Sequence, residues 1–353
     1  MKIVVDAYGN DLGPIEPVKA SVEAVKLYKD IKIVLCGKKE ELKNLLSQYE
    51  YDKERIEIVP AEEVITNEEV PTEAVKSKPN SSLVKAFDTL KQDEDVVGLV
   101  SCGSTGAVLT GAFLKIGRIK GISRPALCPI LPAKDGKQVM LIDSGANIDC
   151  KPINLCHFAL LASSYAKSLF NIENPRVALL NIGTEDKKGN EFSHECFAEL
   201  KKMPINFVGN MEARDFLSGN YDIVVADGFY GNILLKSVEG TAKFVLDSLK
   251  KEIKSSFWSK IGALFMKKSF KNLKATFNHN AHGGAAFLGV KKLVVKGHGA
   301  SDSLAFLKSI EQVIKLHQCD YCKKIEEELS NLGEKENAWV WYKKNRKNYP
   351  LWV

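Results

Sequence analysis

The sequence predicts an α/β fold with a mostly parallel sheet. Short apolar runs, such as residues 96–100 and 139–142, are each followed by a loop of Gly, Asn, Ser, Thr and acidic residues. Segments with the character of helices alternate with these runs, and such alternation leads to right-handed crossovers between parallel strands. No low-complexity linker interrupts the pattern, so residues 1–318 are expected to form one α/β domain.

The elements follow in order from the first residues of the chain. The predicted strands are apolar runs bounded by turn residues, as buried parallel strands are, and they cover 2–6, 31–36, 56–59, 96–100, 139–142, 177–180, 223–226 and 293–296. The first predicted helix repeats Val18, Val22 and Val25 at helical spacing, and the third begins at a serine N-cap. The predicted helices cover 14–29, 40–49, 83–91, 106–116, 154–169, 191–201, 233–251, 303–316 and 323–332.

The composition is typical of a soluble intracellular protein. Hydrophobic residues make up 45% of the chain and charged residues 27%, and no apolar run approaches the roughly 18 residues of a membrane-spanning helix. The chain starts directly with the strand 2–6, which leaves no room for a signal peptide. Its eight cysteines are scattered, as in a reducing compartment. We therefore expect a cytoplasmic protein.

Positive charge is concentrated in residues 250–274, which we call the basic segment. The chain has a net charge of +6, and the basic segment alone contains eight lysines and one glutamate. Its apolar residues recur every three or four positions, which predicts an amphipathic helix. Such a helix either contacts an anionic membrane, docks on an acidic protein or packs its apolar face on the core. The residues proposed for a membrane or carrier-protein contact are Lys254, Phe257, Trp258, Ile261, Phe265, Lys267 and Lys268.

The last residues, 319–353, differ from the rest and are expected to form a C-terminal extension. They contain three of the four tryptophans and a basic run at 343–347. Aromatic and basic residues together occur at membrane and nucleic-acid contacts. Tryptophan-rich termini are more often buried, so we expect an arm packed on its own subunit or a neighbour, and no nucleic acid as partner.

Several familiar site types are absent from the sequence. There is no GxxxxGK[ST] loop, no GxGxxG after the first strand and no GxSxG elbow. The cluster of His317, Cys319 and Cys322 lacks the second cysteine pair of a zinc site. We therefore expect neither a metal nor a cofactor. Among the histidines, those near glycine turns (279, 282 and 298) are better candidates for a site than His157 on an apolar helix.

The loops after four of the strands indicate one shared site. They span 101–106, 143–147, 181–185 and 227–232 and contain mostly small or polar residues. Ligands of open α/β sheets bind at the carboxyl ends of the strands, and backbone N–H groups in such loops favour anions. We therefore expect a small anionic ligand.

A site that binds an anion but has no nucleophile of its own suits one reaction in particular. Phosphate can itself attack a thioester if the protein holds it, aligns it and stabilises the oxyanion. Lys151 and Lys236 follow two of the loops and are candidates for the cation that pairs with an oxyanion. Two alternatives stay open, namely ordinary surface lysines and a metal bound by the loop carboxylates.

The longer loops carry a family resemblance. Residues 117–127, 143–152, 174–191 and 227–236 resemble the signature segments of the bacterial phosphate acyltransferases of phospholipid synthesis, the PlsX family. The similarity extends over residues 1–315. It implies a Rossmann-like α/β fold like that of isocitrate and isopropylmalate dehydrogenases. The implied reaction converts acyl-[acyl carrier protein] and inorganic phosphate into acyl phosphate, by a homodimer held peripherally at the inner face of the cell membrane.

The resemblance also implies the roles of residues. Lys151, Asn147 and Asn232 would be catalytic, with Lys151 neutralising charge on phosphate or the oxyanion, and Asp149 and Asp227 would orient donors. The phosphate and substrate site would comprise Gly103, Ser104, Thr105, Gly106, Asp143, Gly145, Asp149, Asn181, Gly183, Thr184, Asp227, Gly231 and Lys236.

The sequence departs from the family in places, for example at Ser104, where the family often has Asn, and at Asn154 and His157. Three other readings stay open. One is an acyltransferase that uses coenzyme A thioesters, another is a dehydrogenase that lost its cofactor motif, and the third is a non-catalytic membrane adaptor for the carrier protein.

Overall fold

The computed structural model describes residues 1–270 and 283–334. In these residues the strands form two sheets, one of seven strands and one of five. The strands are β1 (Lys2–Asp6), β2 (Lys32–Gly37), β3 (Ile56–Pro60), β4 (Val96–Ser101), β5 (Ala126–Cys128), β6 (Ile130–Pro132), β7 (Gln138–Ile142), β8 (Val177–Asn181), β9 (Phe207–Glu212), β10 (Ile223–Val225), β11 (Ala285–Leu288) and β12 (Leu293–Lys296). The helices are α1 (Ile15–Leu27), α2 (Lys39–Leu46), α3 (Pro71–Ser77), α4 (Ser82–Gln92), α5 (Thr105–Gly111), α6 (Pro152–Phe170), α7 (Glu191–Leu200), α8 (Gly228–Ser255), α9 (Phe257–Phe265), α10 (Ser303–Gln318) and α11 (Tyr321–Glu334).

The first sheet has the order β3-β2-β1-β4-β12-β11-β5. Its first five strands are parallel, whereas β11 runs antiparallel to both of its neighbours. Lys296 of β12 pairs with Ser101 of β4, and β4 pairs with β1 on its other side. The ends of these three strands, Asp6, Ser101 and Lys296, therefore lie at one edge of the sheet.

The second sheet has the order β6-β7-β10-β8-β9, with β6 as its antiparallel edge. Val225 of β10 pairs with Ile142 of β7 and with Leu179 of β8, all in parallel. The loops after these three strands therefore leave from the same edge. The chain passes from the first sheet to the second at Pro129, the residue between β5 and β6.

The buried core includes α6, which contacts strands of both sheets. Residues 154–166 of this helix are buried without exception, which agrees with a sequence that is apolar on all sides. Tyr165 packs edge-on against Tyr321, with ring centroids 5.8 Å apart. The start of the predicted extension, through Tyr321 and Ile325, is thus part of the core.

The α/β class and the parallel majority of the strands are confirmed, but a single sheet is wrong. Four strands, β5, β6, β9 and β11, were not expected from the sequence. β5 and β6 have only three residues each, and β9 contains Gly209 and Asn210 in place of an apolar run. A strand of this kind gives no periodic signal.

In the described part of the basic segment, α8 ends and a separate helix, α9, follows it, in place of the single helix expected. Of the residues of α8, only Gly228, Gly231 and Leu234 are buried. The helix ends at Ser255, and Ser256 is extended (ψ 157°) and caps α9 by accepting the N–H of Ser259. No residue of α9 is buried, so the alternative in which the apolar face packs on the core does not hold for this helix.

Some sequence predictions lie outside the described residues. These are positions 271–274 of the basic segment, His279, His282, the three tryptophans of the extension and its basic run at 343–347. Within the described ranges, no helix is both long and apolar enough to span a membrane.

Candidate functional site

A cavity of about 290 Å³ lies where the strand ends of the two sheets face each other, and we call it the cleft cavity. Both sheets contribute to its walls, as does the first part of α8. Apolar side chains of the crossing between the sheets, among them Leu127 and Leu131, line one wall. Its polar lining consists of Thr105, Ser144, Gly145, Asn232, Lys236, Glu239, Lys296, Gly297 and His298.

Asp143 organises the loop that follows β7. Its carboxylate is fully buried and accepts the backbone N–H groups of Leu127 (3.0 Å), Gly145 (3.3 Å), Ala146 (3.1 Å) and Asn147 (2.7 Å). Burial raises the pKa of Asp143, and these hydrogen bonds oppose that rise. The N–H groups expected to bind an anion therefore hold an internal carboxylate in this loop.

Asn147 belongs to the same network. Its amide nitrogen donates to the Pro125 carbonyl at 2.8 Å and to the Asp143 carboxylate at 2.9 Å. Both amide hydrogens are thus used within the protein. The contacts of Asn147 in this structure fix the loop and do not point into the cleft cavity.

The start of α8 rests directly on this loop. Asp227 caps the helix by accepting the N–H of Tyr230 at 2.8 Å, and the N–H of Gly228 donates to the Asn147 carbonyl at 2.8 Å. A Cβ on Gly231 would lie 1.8 Å from the Asp143 carbonyl oxygen, so only glycine allows the helix to come this close. Because of this close contact, Asn232 and Lys236, which are one turn apart on α8, line the cleft cavity.

The first sheet supplies a second polar network. The buried Asp6 carboxylate accepts the Ser101 hydroxyl at 2.7 Å, and the Ser101 oxygen accepts the N–H of Gly103 at 3.1 Å. Gly297 donates its N–H to the Ser101 carbonyl at 2.9 Å. The network fixes the loop from Ser101 to Thr105 against the loop after β12, and Thr105 lines the cleft cavity.

Lys296 is the buried cation of the site. It is 9% exposed, and its ammonium donates to the Gly297 carbonyl. Burial lowers the pKa of Lys296, and repulsion from Lys236 lowers it further. Lys296 was not among the predicted site residues, although a lysine that ends an apolar strand just before Gly-His-Gly was a usable signal.

The predicted site residues are only partly brought together. Thr105, Gly145, Asn232 and Lys236 line the cleft cavity, together with the candidate His298. Asn181 and Asp227 line a second cavity on the other side of α8. The remaining predicted residues line neither cavity; they are Gly103, Ser104, Gly106, Asp143, Asn147, Asp149, Lys151, Gly183, Thr184 and Gly231.

Lys151 lies at the N-cap of α6, where it is exposed and its N–H donates to the Asn154 side chain at 2.7 Å. Asp149, two residues earlier, is also exposed, and its carbonyl accepts Arg124 at 2.6 Å. Within the described residues, no group of three or more His, Cys, Asp or Glu side chains is arranged to hold a metal ion.

The architecture is that of the phosphotransacetylase fold. A phosphotransacetylase from Streptococcus pyogenes superposes with a TM-score of 0.58 at 18% identity, over 90% of this chain and 94% of that one. EutD phosphotransacetylase from Staphylococcus aureus gives a TM-score of 0.55 at 16% identity, over 90% and 94%. At such low identity the similarity establishes the fold alone.

Sequence similarity identifies the family. Residues 1–324 match the model of the family described as "Fatty acid synthesis protein". The phosphate acyltransferase of Clostridium tetani is 46% identical over 94% of this chain and 99% of its own length, and that of Dictyoglomus thermophilum is 46% identical over 95% and 99%. The chain therefore belongs to this family of phosphate acyltransferases.

Proposed function

We propose that the chain transfers a fatty acyl group from acyl carrier protein to inorganic phosphate in the cleft cavity. The observation that carries the proposal is that Lys236 and Lys296 both line one cavity, in which Glu239 is the one lining carboxylate among the described residues and pairs with Lys236 at 2.7 Å. The two cations repel each other, and a phosphate dianion between them would neutralise both. The relatives' name supplies the reaction class, and the motif resemblance supplies the carrier protein as acyl donor.

The chemistry requires no nucleophile from the protein. An oxygen of HPO₄²⁻ attacks the thioester carbonyl carbon, and the carbonyl oxygen becomes an oxyanion. When the intermediate collapses, the C–S bond breaks, and the proton of the phosphate ends on the leaving thiolate. The products are an acyl phosphate dianion and the free thiol of the carrier. The protein contributes alignment and charge stabilisation, which supply most of the acceleration in such reactions.

The residues of the cavity divide these tasks. The buried Lys296 binds the phosphate, and the more exposed Lys236 neutralises part of the phosphate charge. Thr105 and Asn232 donate hydrogen bonds to the phosphate or to the developing oxyanion. The Lys151 role implied by the family resemblance stays a prediction, which a Lys151→Ala variant tests: a loss of about a hundredfold in turnover would support it.

We further propose that α9 contacts an anionic membrane surface, with the carrier protein as the competing partner. Its side chains Phe257, Trp258 and Phe265 are 70%, 78% and 87% exposed, and Lys254, Lys267 and Lys268 flank them. Aromatic and basic residues together favour an anionic interface. A triple Phe257→Ser, Trp258→Ser, Phe265→Ser variant should lose liposome binding and keep its activity in solution. Loss of carrier-protein affinity in its place would assign the segment to docking.

The family resemblance supports three further proposals. These are a homodimer, a location at the inner face of the cell membrane and a place in the isocitrate and isopropylmalate dehydrogenase-like group of folds. Light scattering of the purified chain tests the first, since a monomer at working concentration would contradict it. Membrane fractionation of the expressing cell tests the second.

The donor experiment separates the candidate functions. The purified chain is incubated with phosphate and either acyl-[acyl carrier protein] or acyl-coenzyme A, and acyl phosphate is detected by mass. Product from the carrier-protein thioester at a higher kcat/KM supports the proposal. Product from the coenzyme A thioester alone would make the donor wrong. No product from either, with the fold intact, would favour a non-catalytic adaptor.

A further inference from the structure

A second cavity, which we call the α8 cavity, lies on the opposite side of α8 from the cleft cavity. Its volume is about 440 Å³, within the range of small-molecule sites of roughly 300–1,000 Å³. Most of its wall is apolar: Leu155 of α6, Leu179 and Leu180 of β8, Phe192 of α7 and Leu234 of α8.

Four polar residues that line the α8 cavity, Asn181, Asn190, Ser193 and Asp227, have hydrogen-bond partners within the protein. The Asn181 amide donates to the Lys188 carbonyl at 3.0 Å, and its oxygen accepts the N–H of Ile182 at 2.8 Å. Asn190 and Ser193 bond to each other, and Asp227 caps α8. No lysine or arginine is among the lining residues. The part of a ligand that enters this cavity is therefore a hydrocarbon and not a charged group.

Apolar side chains also surround the start of α8. Ile182 is 80% exposed, Phe229 54% and Tyr230 52%. A cluster of exposed apolar residues often marks a binding surface, whereas single exposed apolar residues do not. Phe229 lies at the N-terminal end of α8, between Asp227, which lines the α8 cavity, and Asn232, which lines the cleft cavity.

We propose that the α8 cavity binds the far end of a long fatty acyl chain whose thioester carbonyl reacts in the cleft cavity. The inference rests on the proposed function. Neighbouring residues of α8 divide the two cavities, Leu234 and Ser237 on one side and Leu235 and Lys236 on the other. The chain crosses the start of the helix over the surface of Phe229 and then enters the cavity.

The crossing sets a threshold in chain length. A helix with its side chains is about 10 Å across, so a short acyl chain ends before it reaches the α8 cavity. Each further methylene of a longer chain is buried, which favours binding about fourfold per methylene. We therefore expect kcat/KM to be nearly flat for short chains and to rise steeply above the threshold. An acyl chain lying on the Leu127–Leu131 wall of the cleft cavity would instead gain from its first methylenes.

The test fills the α8 cavity from an exposed position. Ser237→Trp places an indole at its wall, and Thr241→Trp, one turn further along α8 and also exposed, is the matched control. Acyl phosphate formation is measured with acyl-[acyl carrier protein] donors of increasing length. Ser237→Trp should abolish the rise above the threshold, a loss of tenfold or more for the longest donor, and leave the shortest donor unchanged. The control should keep the wild-type profile.

A second variant changes the wall without adding bulk. Ile233→Ser removes an apolar side chain from the α8 cavity, so it should lower kcat/KM for long donors several-fold and spare short ones. Identical chain-length profiles in wild type, Ser237→Trp and Ile233→Ser would overturn the inference and leave the proposed function intact. Failure of the proposed function looks different, since wild type would then form no acyl phosphate from any donor.

Discussion

Replacing Lys296 by methionine removes the buried cation of the cleft cavity with little change in shape. The lysine is 9% exposed at the end of β12 and lines the cavity beside Gly297 and His298. Methionine has a side chain of similar length, so the packing of β12 should persist. The variant therefore tests the charge and not the fold.

The size of the effect follows from burial. Opposite unit charges about 4 Å apart attract by about 4 kcal/mol at an effective dielectric constant of about 20, which corresponds to about a thousandfold in kcat/KM for phosphate. Lys236 is 58% exposed and pairs with Glu239 at 2.7 Å, so solvent screens it and its loss should cost about fivefold or less. We expect Lys296→Met to be far more damaging than Lys236→Met.

The assay is the initial rate of acyl phosphate formation at varied phosphate concentration, with thermal melting as the check on folding. Because burial and Lys236 lower the pKa of Lys296, wild-type activity should fall as rising pH deprotonates this lysine. Lys296→Arg should restore part of the activity and remove that alkaline loss. A folded Lys296→Met variant within threefold of wild type would refute the reasoning. A larger loss of activity in Lys151→Ala than in Lys296→Met would also refute it, because Lys151, the residue implied by the family resemblance, would then supply the essential positive charge.

Three further predictions concern the support of the site. Gly231→Ala should destabilise the protein by about 1–3 kcal/mol and lower its activity, because the new Cβ would lie 1.8 Å from the Asp143 carbonyl oxygen. Gly240→Ala is the control, since the space around Gly240 is open and alanine should stabilise α8. Chemical denaturation measures both changes in stability. Asp143→Asn should cost about 3 kcal/mol, measured the same way, because an NH₂ group would face backbone N–H donors; an unchanged midpoint would contradict the network. Burial lowers the pKa of His157 to about 4, so the unfolded chain takes up a proton first as the pH falls. The free energy of unfolding should therefore be unaffected by this histidine above pH 6.5 and should fall by about 3 kcal/mol as the pH drops towards 4. His157→Gln should flatten this pH dependence.

The elements whose apolar residues follow a regular pattern could be predicted from the sequence. The strands that end at Asp6, Ser101 and Ile142 are apolar runs, and the structure has them within a residue or two of their predicted bounds. Strand order was not readable, because the pairing of β4 with β12 and of β10 with β7 joins segments far apart in the chain. The four predicted loops were therefore assigned to one sheet edge, whereas they leave from two sheets that face each other.

The site was predictable in its loops but not in its charges. Gly145 and Asn232, which the sequence suggested as site residues, line the cleft cavity. The anion that the 143–147 loop binds is the protein's own Asp143 carboxylate, which only the fold reveals. Lys296 ends an apolar strand just before Gly-His-Gly, but its place in the site could not be predicted, because its neighbour in space, Ser101, is nearly two hundred positions away. Glycine contacts such as Gly231 on Asp143 are likewise set by packing between elements.

The most direct test of the central claim uses phosphate labelled with heavy oxygen and acyl-[acyl carrier protein]. If phosphate bound in the cleft cavity attacks the thioester, mass spectrometry should find acyl phosphate that retains every labelled oxygen, together with the free carrier thiol. The Lys296→Met variant should form it about a thousandfold more slowly at limiting phosphate. Free fatty acid as the sole acyl product, with its new oxygen from water, would contradict the account.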